Sequence, residues 1–60
     1  MDAMQTTQYA RALLSSHGGK AEAEAAQKMR DCQAAGKTDE AEDWKRIRLA
    51  IMEMRGPHQG

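Results

Sequence analysis

The last third of the chain carries the clearest pattern of hydrophobic and polar positions. Large apolar residues and two alanines recur there at helical spacing: Trp44, Ile47, Ile51 and Met54, with Ala41 and Ala50 beside them. On a wheel of 3.6 residues per turn, the four large side chains fall within about 80° of one another. Acidic residues dominate the start of this segment and basic residues follow, as the helix dipole favours. The pattern predicts an amphipathic helix over about residues 39–55, with Thr38 as its N-cap.

Two earlier segments show weaker helical stripes made of smaller side chains. The stripe of the first segment consists of Ala3, Thr6, Ala10, Leu13, Leu14 and His17, and that of the second consists of Ala21, Ala25, Met29 and Cys32. Asp2 is the expected N-cap of the first segment, with Gln5 placed to complete a capping box. The second segment is rich in strong helix formers. These patterns predict helices over about residues 3–16 and 20–35.

Glycines separate the three predicted helices. Gly18-Gly19 follows the first helix, Gly36 follows the second, and Gly56-Pro57 ends the third. A short turn at Gly36 makes the second and third helices antiparallel. We therefore expect residues 1–60 to form a single all-α domain, in which an antiparallel helical hairpin carries an additional N-terminal helix. This three-helix arrangement would be followed by a tail over residues 56–60.

The composition favours the same fold class. Val and Phe are absent, and Tyr9 and Trp44 are the only aromatic residues, so the residue types that suit strands are nearly lacking. Apolar residues make up 40% of the chain, but 11 of them are Ala. Few side chains are therefore large enough to build a core, and short chains recover the entropy cost of folding only narrowly. A partner surface would add to the buried area.

The charge and cysteine content limit the cellular locations and the kinds of partner that the sequence favours. Nine basic and nine acidic side chains give a formal net charge of zero, which provides no overall attraction to nucleic acid or to an anionic membrane. The longest apolar run, residues 49–52, is far shorter than the roughly 20 residues of a membrane span, and Met1-Asp2 begins no signal peptide. One cysteine, Cys32, cannot form an internal disulfide. We expect a soluble, cytoplasmic protein with no membrane partner.

The turn between the second and third predicted helices resembles a known motif. Residues 35–41, Ala-Gly-Lys-Thr-Asp-Glu-Ala, are similar to the inter-helix turn of tetratricopeptide motifs, where a glycine, an acidic pair and a small alanine occur in this order. The chain departs from that family at Lys45 and Arg48, where the motif has an aromatic and a small residue, and it has no second repeat. A solenoid needs about three repeats, so a peptide-binding array is not implied. The sequence also looks like short, uncharacterised bacterial helical proteins, a likeness that implies no function.

No set of residues points to catalysis. His17, Cys32 and His58 provide neither a Cys-x-x-Cys pair nor two metal ligands at helical spacing. The acidic pairs Asp39-Glu40 and Glu42-Asp43 lie in the first turns of a predicted helix, where solvation and the helix dipole account for them. We therefore expect no enzyme activity, no catalytic residues, no cofactor, no metal and no small-molecule substrate.

Leu49 and Met52 are apolar but point away from the main stripe of the last predicted helix. Either the first helix covers them or they contact a partner, and the shortage of large apolar residues favours a partner. The predicted interaction residues are Trp44, Ile47 and Ile51 as buried anchors, Leu49 and Met52 as an outer strip, and Arg48 and Arg55 at the rim. We expect a small protein–protein interaction module that self-associates, with a homodimer as the expected form, or docks on another protein through this helix.

The alternative hypothesis is a nucleic-acid-binding accessory protein. Four basic residues of the last predicted helix would provide the phosphate contacts: Lys45, Arg46, Arg48 and Arg55. Basic helices bind nucleic acid through such side chains. The neighbouring acids weaken the positive field, and four contacts are few for useful phosphate binding. Nucleic acid is therefore the less favoured partner.

Overall fold

The described part of the chain, residues 1–56 of the computed structural model, is all-helical, as predicted, and contains no strand. Helix α1 spans Ala3–His17, a 3₁₀ turn spans Gly18–Lys20, α2 spans Ala21–Ala34 and α3 spans Thr38–Arg55. No helix within residues 1–56 combines the length and the apolar content needed to cross a bilayer. Of the predicted tail, residues 57–60, including His58, lie outside the described residues.

The junction at Gly18-Gly19 differs from the loop that its two glycines predict. The backbone is helical from Ala3 to Ala34 without a gap, because a 3₁₀ turn joins α1 to α2. The described chain therefore contains two continuous helical units, residues 3–34 and 38–55, rather than three helices separated by loops. Residues 3–34 as one straight helix would measure about 48 Å at 1.5 Å per residue. The longest dimension of the molecule is only 37 Å, so the first unit bends.

The starts of α1 and α3 are capped differently. The backbone N–H of Gln5 donates to Asp2 Oδ1 at 2.8 Å, and the Asp2 backbone N–H donates to Gln5 Oε1 at 3.3 Å, which confirms the predicted capping box. The prediction for Thr38 is wrong. Thr38 is already the first helical residue, and Lys37 holds the cap position without any side-chain hydrogen bond.

A tight turn connects α2 to α3. The Lys37 backbone N–H donates to the carbonyl of Cys32 at 2.8 Å, and the Gly36 N–H donates to the carbonyl of Gln33 at 3.1 Å. Gly36 has a φ of +79°, a conformation that L-residues rarely adopt. This turn places the start of α3 beside the end of α2.

Alanines of α1 and α2 form one side of the core, and isoleucines of α3 form the other. Its buried members are Ala10 of α1, Ala21 and Ala25 of α2, and Ile47 and Ile51 of α3. Half-buried side chains pack around them: Leu13, Leu14, Trp44, Ala50 and Met54. The alanines let the backbones of α1 and α2 approach the two isoleucines closely, so α3 supplies most of the buried apolar volume. The predicted core stripe of α3 is therefore confirmed.

Candidate functional site

The outer face of α3 carries the candidate site. Leu49 is 48% exposed and Met52 is 39% exposed, on the side of α3 that faces away from Ile47 and Ile51. We call these two residues the outer strip. Helix α1 does not cover them, so of the two interpretations left open by the sequence, the structure excludes an outer strip enclosed by the first helix. An apolar strip left open to solvent is a candidate for contact with another molecule.

Four charged side chains surround the outer strip. Glu42, Lys45, Arg46 and Glu53 are all exposed. The exposed Arg46 lies 3.7 Å from the carboxylate of the half-buried Asp43 in an i,i+3 pair, and a contact this long contributes little to stability. Within residues 1–56, the side chains of Lys45, Glu42 and Glu53 have no ion pair or hydrogen bond. The strip is thus bordered by two positive and two negative groups, most of which have no partner within the described chain.

Ile47 and Ile51 are buried and form no part of the exposed surface of α3. Their exposed fractions are 1% and 0%, and they pack against the alanines of α1 and α2. The prediction that they anchor a partner conflicts with this placement, because a partner could reach them only if α1 and α2 moved away. Periodicity identified them correctly as a buried face but could not show that the same chain buries it.

Trp44 makes an aromatic contact within the chain. Its ring packs edge to face against Tyr9 of α1, with ring centroids 5.5 Å apart and an interplanar angle of 90°. Trp44 is half-buried and Tyr9 is 44% exposed. Sequence reasoning missed Tyr9, which lies beside the α1 stripe rather than within it. Its position one helical turn before Leu13 was the available signal.

Arg48 and Arg55 face α2 rather than the outer strip. Arg55 Nη1 donates to Glu22 Oε1 at 3.1 Å, and Arg48 Nε lies 3.6 Å from Glu22 Oε2. Arg48 Nε is buried and lacks a hydrogen-bond partner within the described structure. Both guanidinium groups therefore contact the Glu22 carboxylate of the same chain. Of the four basic residues predicted for nucleic acid, Lys45 and Arg46 alone point away from the core of the described chain.

The remaining chemistry-bearing residues lie apart from one another. His17 Nδ1 contacts Glu24 Oε1 across the 3₁₀ turn, and Cys32 Sγ lies 3.9 Å from Glu40 Oε1. Within residues 1–56, no three His, Cys, Asp or Glu side chains come close enough together to hold a metal ion. These contacts act within the chain and form no cluster around a reactive group.

Apolar side chains are also exposed on α1. Met4 is 70% exposed, and a shallow groove on the same helix is lined by Met1, Gln5, Gln8 and Tyr9. The groove contains no charged side chain among these four residues. Its polar groups are the amides of Gln5 and Gln8 and the hydroxyl of Tyr9, and because it is shallow and open it would enclose little of a small molecule.

No family model, curated protein or solved structure matches this chain. The similarity of residues 35–41 to a tetratricopeptide turn therefore stays a prediction. Any functional conclusion depends on the chain's own residues.

Proposed function

We propose that this protein is a small, non-enzymatic interaction module that binds another protein surface through the outer strip of α3. The observation that carries the proposal is the exposure of Leu49 and Met52, although α3 buries its other large apolar residues at least in part. Burying apolar surface is favourable at about 25 cal/mol per Å². A partner that covered the strip would provide this stabilisation, and the flexible Met52 side chain suits an adaptable contact.

The arrangement of the helices supports this role for α3. Glu22 at the start of α2 lies against Arg55 at the end of α3, and Cys32 near the end of α2 lies against Glu40 near the start of α3. We interpret α2 and α3 as an antiparallel hairpin, with α1 packed on it through Tyr9 in a three-helix arrangement. In that arrangement α1 and α2 support one side of α3 and leave its opposite side for binding.

Nucleic acid is the weaker alternative as a partner. Glu22 pairs with both Arg48 and Arg55 and orients them toward α2, which leaves Lys45 and Arg46 beside Glu42 and Glu53. Phosphate binding rests on several cations acting together without nearby acids. This balance supports an apolar protein contact over a phosphate contact. We further propose a cytoplasmic location, where a single unpaired cysteine such as Cys32 stays reduced.

Substitution at the outer strip tests the proposed function. Leu49→Lys places a charge at the centre of the strip and should abolish binding to any protein partner without unfolding the chain. Gln33→Lys is the matched control, because it adds the same charge at an exposed position of α2. Self-association is measured by sedimentation and partner binding by affinity capture, with helicity checked by circular dichroism. Identical binding by the Leu49→Lys, Gln33→Lys and unmodified chains would contradict the proposal.

A further inference from the structure

We propose that the partner of the outer strip is a second copy of this chain, bound so that the two α3 helices run antiparallel and cross at Leu49. This inference rests on the proposed function and adds the identity and the orientation of the partner. It is carried by the order of the charged residues that border the strip.

The geometry of α3 determines which residues would meet across such a two-fold axis. In an antiparallel pair centred on Leu49, a residue that precedes Leu49 in one copy lies level with a residue that follows it in the other. Arg46 lies about 4.5 Å before Leu49 along the axis and Glu53 about 6 Å after it, at 1.5 Å per residue. Arg46 of one copy is therefore nearly level with Glu53 of the second copy.

The positions around the helix agree with this register. At 100° per residue, Arg46 and Glu53 lie about 60° and 40° to the same side of Leu49, whereas Lys45 and Met52 lie about 40° and 60° to the other side. A two-fold axis perpendicular to both helices places the side that carries Arg46 and Glu53 next to the same side of the second copy. The side that carries Lys45 and Met52 likewise lies next to its equivalent. Each Arg46 then meets a Glu53 on one flank, and on the other flank each Lys45 stem covers a Met52, as long cationic side chains commonly do.

A parallel pairing of the same helices is disfavoured. A parallel two-fold axis exchanges the flanks, so each Arg46 would face Lys45 of the second copy and each Glu53 would face Met52. Like charges directly opposed are destabilising, and neither Glu53 would have a cationic partner. A strongly acidic or basic partner would also gain little, since Glu42 and Glu53 balance Lys45 and Arg46. The same face is neutral overall and has opposite charges at positions that the antiparallel two-fold axis brings side by side.

The structure leaves the residues needed for this pairing available. Glu53 has no ion pair within residues 1–56, and the contact between Arg46 and Asp43, at 3.7 Å with Arg46 exposed, is too weak to hold Arg46 in place. The strip contains only Leu49 and Met52, and stable interfaces bury about 800 Å² on each partner. The dimer should therefore be weak and should dissociate on dilution.

Charge reversal tests the orientation directly. Arg46→Glu and Glu53→Arg each replace two attractive contacts with two repulsive ones, so each should raise the dissociation constant of the homodimer about tenfold. A mixture of the two variants should form a heterodimer with nearly the original affinity, because one charge pair is restored with its signs exchanged and the other is the original pair of Arg46 and Glu53. Lys28→Glu makes the same change of charge as Arg46→Glu at an exposed position of α2, so it is the control for that variant and should leave the affinity unchanged. Sedimentation across a concentration series measures each constant.

Disulfide crosslinking tests the register. In a Cys32→Ser background, Leu49→Cys places two thiols at the axis, where facing helices bring Cα atoms within the roughly 7 Å that a disulfide allows. Lys45→Cys is the matched control, because its two thiols would be separated by about 12 Å along the helix axis. Rapid crosslinking at position 49 and slow crosslinking at position 45 supports the antiparallel pair. Equal rates at the two positions contradict it.

The outcomes separate this inference from the proposed function. Self-association that Leu49→Lys abolishes, but that neither charge reversal changes, would overturn the antiparallel pair and leave the interaction module intact. A chain that stays monomeric at millimolar concentration would overturn the second copy as partner. In that case the proposed function is decided by whether Leu49→Lys alters capture of a different protein.

Discussion

Tyr9 and Trp44 pack edge to face, and this contact joins α1 to α3 at the edge of a core made of alanines and two isoleucines. An aromatic pair in this geometry contributes about 0.5–1.5 kcal/mol beyond the area it buries. The pair holds α1 on one side of α3, which keeps the opposite side, with Leu49 and Met52, open to solvent. The position of the candidate site thus depends on a contact on the other side of the same helix.

The first prediction concerns this aromatic pair. Tyr9→Ala should lower the free energy of unfolding by about 1–2 kcal/mol, because it removes the edge-to-face contact and part of the cover over the core. Tyr9→Phe keeps the ring and should cost less than about 0.5 kcal/mol. Urea unfolding followed by Trp44 fluorescence measures both variants. A similar loss in both would show that the hydroxyl group, rather than the ring, provides the stabilisation.

The second prediction separates the two faces of α3. Ile51→Ala removes a fully buried side chain and should cost about 2–5 kcal/mol, which is enough to unfold a chain of this size. Leu49→Ala removes a half-exposed side chain and should change the stability of the monomer by less than about 0.5 kcal/mol. Circular dichroism at a concentration low enough to prevent association measures both. Equal losses would mean that Leu49 is covered within the monomer.

Much of this division between faces was predictable from the sequence. The period of the apolar residues identified the buried stripes of α2 and α3, including Ala21, Ala25, Ile47 and Ile51, because a helix fixes which positions share a face. The capping box of Asp2 and Gln5 was also predictable, since it depends on residues only three apart. These features are local, so the sequence contains them directly.

Other features depend on contacts between distant residues. The pairing of Glu22 with Arg48 and Arg55 turned two predicted rim residues toward α2, and no spacing rule reveals a contact between different helices. The Gly18-Gly19 pair predicted a loop, but the chain continues through it as a 3₁₀ turn. The cap prediction at Thr38 was wrong by one position, because the Lys37 carbonyl already accepts the first helical hydrogen bond.

The third prediction concerns the two adjacent glycines at the junction of α1 and α2. Gly18 has a φ of +57° and a ψ of −130°, so Gly18→Ala should destabilise the chain by about 1–3 kcal/mol through backbone strain, since the added methyl group would meet no neighbouring side chain within 4 Å. Gly19 has ordinary backbone geometry and equally open surroundings. Gly19→Ala should therefore be neutral or stabilising by up to about 1 kcal/mol. Thermal unfolding of the two variants checks the difference, and the reverse order would contradict the geometry of the turn.

The fourth prediction concerns the carboxylate that binds two guanidinium groups. Glu22→Gln keeps the shape of the side chain but removes its charge, and should cost about 1 kcal/mol because Arg48 and Arg55 lose their common partner. The loss should shrink at molar salt, which screens the original ion pairs. Glu42→Gln is the control, since Glu42 has no ion pair within residues 1–56. Urea unfolding at low and high salt measures both, and an unchanged stability for Glu22→Gln would show that these contacts do not hold α2 against α3.

Residue-resolved NMR on dilution shows whether Leu49 and Met52 lie at a contact between two copies of the chain. The methyl signals of Leu49 and Met52 should shift progressively between millimolar and micromolar concentration, while those of Ile47 and Ile51 stay unchanged, because the former would exchange a partner surface for water and the latter remain in the core. Methyl signals of Leu49 and Met52 that do not depend on concentration would contradict self-association through the outer face of α3.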